Sequence, residues 1–167
     1  MKDMTEANLK AAFAGESQAH MKYLNFAEQA RRDGMPNIAR LFEATSFAEQ
    51  VHASNHLRAL GGIQPTGANL GEAKGGEDFE VAEMYPAYKA VAELQGEKQA
   101  LRSMNWAMEA EKAHSALYGA AKEKADAKQD VAAKEIWVCT SCGYTGEGEM
   151  PDVCPVCGTR HEKFRKF

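Results

Sequence analysis

A chain of 167 residues, 44% hydrophobic and 26% charged, can bury the core of one ordinary domain plus a small one, which excludes a disordered chain. Its formal net charge of −4 argues against nucleic acid, which needs a basic surface. No apolar run approaches the ~20 residues of a membrane span, and Met1–Arg32 carries Lys10, Glu16, Lys22 and Glu28, unlike a signal peptide; a cytoplasmic protein without membrane or nucleic-acid partners is expected.

Residues 1–134 are rich in Ala, Glu, Lys, Leu, Met and Gln, and the pattern predicts helices. The first runs from Thr5, as N-cap, to Arg32; Gly34 breaks it and Pro36 can start the next. The second runs from Asn37 to Leu60 and ends at Gly61-Gly62. The Gly-rich stretch Ile63–Gly76, with Pro65, reads as a long crossover loop and a possible hinge for exchanging helix pairs between subunits. A third helix runs from Glu77 to Leu94 with a kink at Pro86, and a fourth from Glu97 to Ala127, after the break at Gly96. Two short turns and one long crossover match a ferritin-like bundle.

The two helix pairs repeat. Tyr23 precedes Gly34 by the interval that separates Tyr85 from Gly96. Glu49 and His52 follow Gly34 as Glu111 and His114 follow Gly96. Glu16 lies 18 positions before its glycine, whereas Glu77 and Glu80 lie 19 and 16 before theirs, bracketing the equivalent position.

Each Glu-x-x-His motif puts both side chains on one helical face. Such a motif on two helices, with Glu on the other two, is how di-iron carboxylate proteins build their site. These residues fall on stripes that periodicity places in the core: Leu9, Phe13, Glu16, His20, Tyr23, Ala27 and Ala30 in the first helix, and Ile38, Leu41, Thr45, Glu49, His52, His56 and Ala59 in the second. Buried carboxylates at one level are stable only with a cation between them. The charges of Glu16, Glu49, Glu77, Glu80 and Glu111 nearly balance two ferrous ions, or two ferric ions sharing an oxo bridge. A solvated, incidental role is the ordinary reading of one such motif, but not of two in register. The donors favour iron or manganese, with zinc still open. Tyr23 and Tyr85 are candidates to hydrogen-bond a ligating Glu, with plain core packing as the alternative. His20 and His56 read as polar core residues, not ligands.

From Ile136 the chain turns Gly-, Pro- and aromatic-rich, and residues 135–167 are too few to fold on apolar burial alone. Cys139-x-x-Cys142-Gly and Cys154-x-x-Cys157-Gly are the only cysteines. In a reducing compartment they form a tetrahedral S₄ metal site rather than disulfides. The glycine after each pair permits a tight knuckle. Zinc would make the tail a staple or binding module; one iron would make it an electron carrier.

Ala14-Gly15-Glu16-Ser17-Gln18-Ala19, Ala48-Glu49-Gln50-Val51-His52, Gly76-Glu77-x-x-Glu80 with Glu83-Met84-Tyr85-Pro86, Glu111-Lys112-Ala113-His114 and the two knuckles together resemble rubrerythrin over nearly the whole chain. The resemblance implies an all-α ferritin-like four-helix bundle (1–134) and a rubredoxin-like iron–Cys₄ domain (135–167). The di-iron ligands would be Glu16, Glu49, His52, Glu77, Glu80, Glu111 and His114, with one iron exchanging Glu80 for His52 between redox states. Cys139, Cys142, Cys154 and Cys157 would hold one further iron, or zinc in some preparations. The first knuckle reads Cys-Thr-Ser-Cys where many rubredoxins have Pro. The implied activity is peroxidase: hydrogen peroxide is reduced to water in protection against oxidative stress, with electrons from rubredoxin or an NAD(P)H-dependent reductase. A homodimer or larger homo-oligomer is implied. A ferritin-like iron oxidase or store, or a zinc-ribbon adaptor without enzymatic activity, are the rival readings.

Overall fold

The computed structural model describes residues Met1–Phe167. They form two compact units, Met1–Gln64 and Pro65–Phe167. No helix is long and apolar enough to cross a membrane.

The first unit is a helical hairpin of α1 (Asp3–Arg32) and α2 (Pro36–Ala59). Gly34 makes the turn at φ +75°, a left-handed conformation that favours glycine, and Pro36 opens α2 as its first residue. The N-cap of α1 is Lys2, with no side-chain cap, so the helix starts before Thr5. Near the turn the helices approach through Ala27, Ala30 and Ala39, with Phe42 packed on this small cluster. Farther along, Ser46 is fully buried and bridges the pair: its hydroxyl lies 2.9 Å from both His20 Nδ1 and the His20 carbonyl. His20 is thus a polar core residue that ties α1 to α2.

The face of α2 turned toward α1 is Ala39, Phe42, Ser46 and Ala53, one residue round from the predicted stripe. Ile38 and Leu41 are exposed instead. A helix with one packed neighbour buries a narrower strip than the one its apolar pattern marks.

In the second unit, α3 (Thr66–Phe79) runs through a π-helical turn (Glu80–Met84) into α4 (Tyr85–Gln95). After Gly96, at φ +73°, α5 (Lys98–Asp126) returns. The expected crossover loop Ile63–Gly76 is therefore mostly helix, and the non-helical connection shrinks to Leu60–Pro65. Glycine was read there as a breaker, but its spacing fits close helix packing. A Cβ on Gly67 would sit 2.7 Å from Asp126 Oδ1, and one on Gly71 would sit 3.2 Å from Lys122 Cε, so these positions let α5 side chains lie against α3. Pro86 is the second residue of α4, just past the π turn, where the altered hydrogen-bond register absorbs its missing N–H.

The tail folds as a three-stranded antiparallel sheet of β1 (Ile136–Cys139), β2 (Thr145–Glu147) and β3 (Phe164–Lys166), in the order β2-β1-β3. Trp137 is buried, stacked on Phe164 with centroids 5.2 Å apart and tilted against Tyr144. It pairs across the sheet with Gly146, where a Cβ would overlap its ring. Gly146→Ala should destabilise the tail by about 1–3 kcal/mol through overpacking, seen as a lower melting temperature of the Trp137 fluorescence transition. An unchanged transition would mean that the ring has room to move.

Candidate metal centres

In the first unit α1 supplies Glu16, and α2 supplies Glu49 and His52 one turn apart. His52 Nδ1 lies 3.0 Å from Glu49 Oε2 and 3.7 Å from Glu16 Oε1. The Glu16 carboxyl is shifted upward, first by its hydrogen bond with Glu49, then by burial and the Glu49 charge. Glu49 is shifted downward by hydrogen bonds from Glu16 and His52. Without a cation, Glu16 therefore holds its proton more tightly than Glu49 does.

The second unit repeats this arrangement. Glu77 lies on α3, Glu111 and His114 on α5. His114 Nδ1 lies 2.5 Å from Glu111 Oε2 and 3.9 Å from Glu77 Oε1. Burial, and then the charge of Glu111 and a hydrogen bond with it, push the Glu77 carboxyl up to about 7. Glu80, on the π turn, is raised by burial and then by Glu111. The Tyr85 phenol is also raised, by burial and then by Glu80, Glu111 and Glu77, so it stands within the field of these carboxylates. Tyr23, its counterpart, packs its ring against both Phe26 and Phe42, which touch each other edge to face. His56 lies close enough to Glu16 to lower its carboxyl.

In each triad the three donor atoms lie within 4.8 Å of one another. One ion with bonds of ~2.1 Å can draw such a set together with small side-chain shifts. Carboxylates forced to share or retain protons are the mark of a donor set whose counter-charge is a metal. The π turn accounts for the misfit between the two halves. It inserts one residue between Glu77 and Tyr85, so an interval of 19 to Gly96 matches one of 18 to Gly34, and Glu77 is the structural counterpart of Glu16. Glu80 then has no acidic counterpart in the first unit.

The four cysteine sulfurs lie within 4.8 Å of one another, with Cys139–Cys157 and Cys142–Cys154 at 3.6 Å. A tetrahedron with metal–sulfur bonds of about 2.3 Å has edges of about 3.8 Å, whereas a disulfide is near 2.05 Å. The knuckle glycines Gly143 and Gly158 have φ +82° and +74°, and their N–H groups donate to the Cys139 and Cys154 carbonyls at 2.9 Å each. Burial pushes the Cys142 thiol upward. Burial acts the same way on Cys157, but the Thr159 hydroxyl, 3.2 Å from its sulfur, the Thr159 N–H and the neighbouring thiols outweigh it and hold this thiol down to about 7. Burial also raises Cys154, so Cys157 is a readier thiolate than Cys142 or Cys154. Thr159 was not singled out from sequence; its place two residues after the last Cys is the signal that marks it.

One contact ties the tail to the helices. His114 Nε2 lies 2.9 Å from Thr145 Oγ1 at the start of β2. The pair sits in the wall of a cavity of about 490 Å³, lined mostly by apolar residues such as Leu70, Leu117, Tyr118 and Ile136. Nothing local in the sequence marks Thr145, because its partner lies 31 positions away.

Known proteins agree with this arrangement. The family model described as rubrerythrin matches residues 7–122, and that of the rubrerythrin rubredoxin-like domain matches residues 137–165. Rubrerythrin-2 of Clostridium acetobutylicum is 38% identical, covering 98% of this chain and 97% of its own length. Nigerythrin of Nitratidesulfovibrio vulgaris is 35% identical over 98% of this chain and 86% of its own. A solved structure of nigerythrin in a mixed-valent state aligns with a TM-score of 0.56 at 35% identity, over 98% of this chain and 86% of that one. The ferritin-like helical region and rubredoxin-like tail expected from sequence are therefore the fold, and both donor sets fit the iron binding of such proteins. With two carboxylate–histidine triads, a Cys₄ knuckle pair and both family models in the order these motifs require, the chain belongs to the rubrerythrin family.

Proposed function

We propose that the protein is a di-iron peroxidase that reduces hydrogen peroxide to water and protects the cytosol against oxidative stress. The observation that carries this reading is the pairing, in one chain, of two carboxylate–histidine triads with an S₄ site. The ligands of the two irons would be Glu16, Glu49, His52, Glu77, Glu80, Glu111 and His114. Cys139, Cys142, Cys154 and Cys157 hold the third iron. When bound, the di-iron pair would supply the two electrons that reduce peroxide, and an iron held by the four cysteines would be the route by which they are restored. The overall balance is one peroxide, two electrons and two protons giving two waters.

The chain's own residues do the rest. The two histidines offer neutral nitrogen, suited to ferrous iron, and the carboxylates offer hard oxygen, suited to ferric iron. Glu80 and His52 would be the two ligands that replace each other at one iron between redox states. Glu77, pushed up to about 7, and Glu16 and Glu80, shifted in the same direction, are the carboxyls whose protons entering metal would displace. The helical part through residue 134 binds the substrate, and the tail from residue 135 is the port for electrons from rubredoxin or an NAD(P)H-dependent reductase. The protein works as a homodimer or larger homo-oligomer. Large exposed apolar residues on both units, among them Leu41, Phe47, Phe79 and Leu94, favour association.

Stopped-flow mixing of anaerobic, fully ferrous protein tests the reading. Hydrogen peroxide should oxidise the centre at least about 100-fold faster than dioxygen at equal concentration, a difference of roughly 2.7 kcal/mol in barrier. With an NADH-linked donor system, peroxide should then be consumed continuously. Faster oxidation by dioxygen, with iron retained as mineral, would replace the peroxidase by an iron store. A colourless protein with zinc in the tail would make it an adaptor.

A further inference from the structure

One hydroxyl stands between the two metal chemistries. His114 turns Nδ1 toward Glu111 and Glu77, at 2.5 and 3.9 Å, so this nitrogen faces the position a metal would take. Its other nitrogen, Nε2, lies 2.9 Å from Thr145 Oγ1. The Thr145 hydroxyl in turn donates to the Gly143 carbonyl at 3.1 Å. Gly143 follows Cys142 directly and is the positive-φ residue of the first knuckle, its N–H bonded to the Cys139 carbonyl.

Without metal, Nδ1 can donate to the Glu111 carboxylate; with metal on Nδ1, the proton inventory closes in one way. A neutral imidazole that binds metal through Nδ1 carries its hydrogen on Nε2 and is a donor there. The Thr145 oxygen accepts that hydrogen and passes its own to Gly143. Each group makes one bond of the right sense, and the chain of bonds starts on a ligand of the carboxylate–histidine site and ends on the Cys₄ knuckle.

We propose that Thr145 is a positioning residue: it fixes the tautomer and ring orientation of His114, and so couples the first cysteine knuckle to the carboxylate–histidine site of the same unit. This rests on the reading of His114 as a metal ligand. A partner on the far nitrogen of a metal-binding histidine raises its basicity and holds its plane, and removing such a partner lowers metal affinity by about 10–100-fold.

The test uses the full chain with Thr145→Val, Thr145→Ala and Thr145→Ser. Cobalt(II) is titrated into protein whose Cys₄ site is already filled, and its dissociation constant at the helical site is read from the visible absorption. Val and Ala both remove the hydroxyl, one keeping the bulk and one losing it, and both should weaken cobalt by about 10-fold or more. Ser should stay within about 3-fold of the unaltered chain. With zinc in the helical site, ¹⁵N spectra of the His114 ring should show metal on Nδ1 and the hydrogen on Nε2 in the unaltered chain and in Thr145→Ser, and a mixture of the two ring orientations in the other two. Electron transfer out of the Cys₄ iron, timed after peroxide reaches fully reduced protein, should slow in the same two variants. Equal cobalt affinity and an unchanged ring orientation in Val and Ala would overturn the role of Thr145. If the unaltered chain itself binds no cobalt at the helical site, His114 is no ligand, and it is the functional reading that fails.

Discussion

Cys142→Ser should strip one iron equivalent per chain, abolish the red colour of the oxidised protein and unfold the tail, while the helices keep their far-ultraviolet signal. The tail has few other sources of order. Its buried side chains are Trp137, Cys139 and Cys154, and two of those three are metal donors. Structural S₄ sites in domains of this size contribute about 10–16 kcal/mol of apparent binding free energy, well beyond what one buried indole offers. The remaining three thiols cannot close a tetrahedron, and the buried pair would be left without a counter-charge. Near-ultraviolet dichroism of Trp137, measured with iron content, reports both losses together. An unchanged colour and iron count in Cys142→Ser would show that this cysteine is not a ligand, and the S₄ assignment would fall.

Glu111→Gln should act in opposite directions on function and on stability. With iron present, the second triad loses a charged donor, and turnover should fall by more than the roughly 10–100-fold that an outer-sphere partner is worth. Without iron, the substitution removes the charge that helps push the Glu77 carboxyl from its ordinary 4.5 up to about 7. A carboxyl raised in the folded state is more protonated there than in the unfolded chain. The metal-free fold therefore has its full stability below about pH 4.5 and loses part of it as pH rises through about 7. The metal-free protein should melt at a higher temperature at about pH 5 than at about pH 8, with a smaller difference in Glu111→Gln and a higher melting temperature for that variant at about pH 8. Iron should raise the melting temperature of the unaltered protein at neutral pH by binding only the folded state. A metal-free variant that melts no higher than its parent at alkaline pH would show that the two carboxylates do not strain the fold.

What sequence reveals here follows from range and period. The Glu-x-x-His motifs lie within one helical turn and the cysteine pairs within one knuckle, so each is visible as a local word whose geometry is fixed by short backbone rules. Chain punctuation at Gly34 and Gly96 is legible for the same reason: one residue, one conformation. Misreadings arise where one signal stands for two structures. Gly67 and Gly71 look like loop residues by composition, yet their four-residue spacing is that of a helix packed closely on a neighbour. Ile38 and Leu41 look buried by periodicity, but burial needs a second surface, and periodicity does not say how wide that surface is. The bonds of His20 to Ser46 and of His114 to Thr145 join positions 26 and 31 apart and exist only in the folded chain. The intervals of 18 and 19 did carry a trace of the π turn, as one residue too many in the second half.

That extra residue bears on how the two irons can differ. A helix pair duplicated without change would place its metals in twin environments, interchangeable by symmetry. The insertion at Glu80–Met84 breaks the symmetry at one point. It leaves Glu77 as the counterpart of Glu16 and adds Glu80 with no acidic counterpart, so the two halves offer unequal donor sets. Ions held by unequal donors would differ in potential. One added residue in the second half is therefore enough to give two identical metals separate identities.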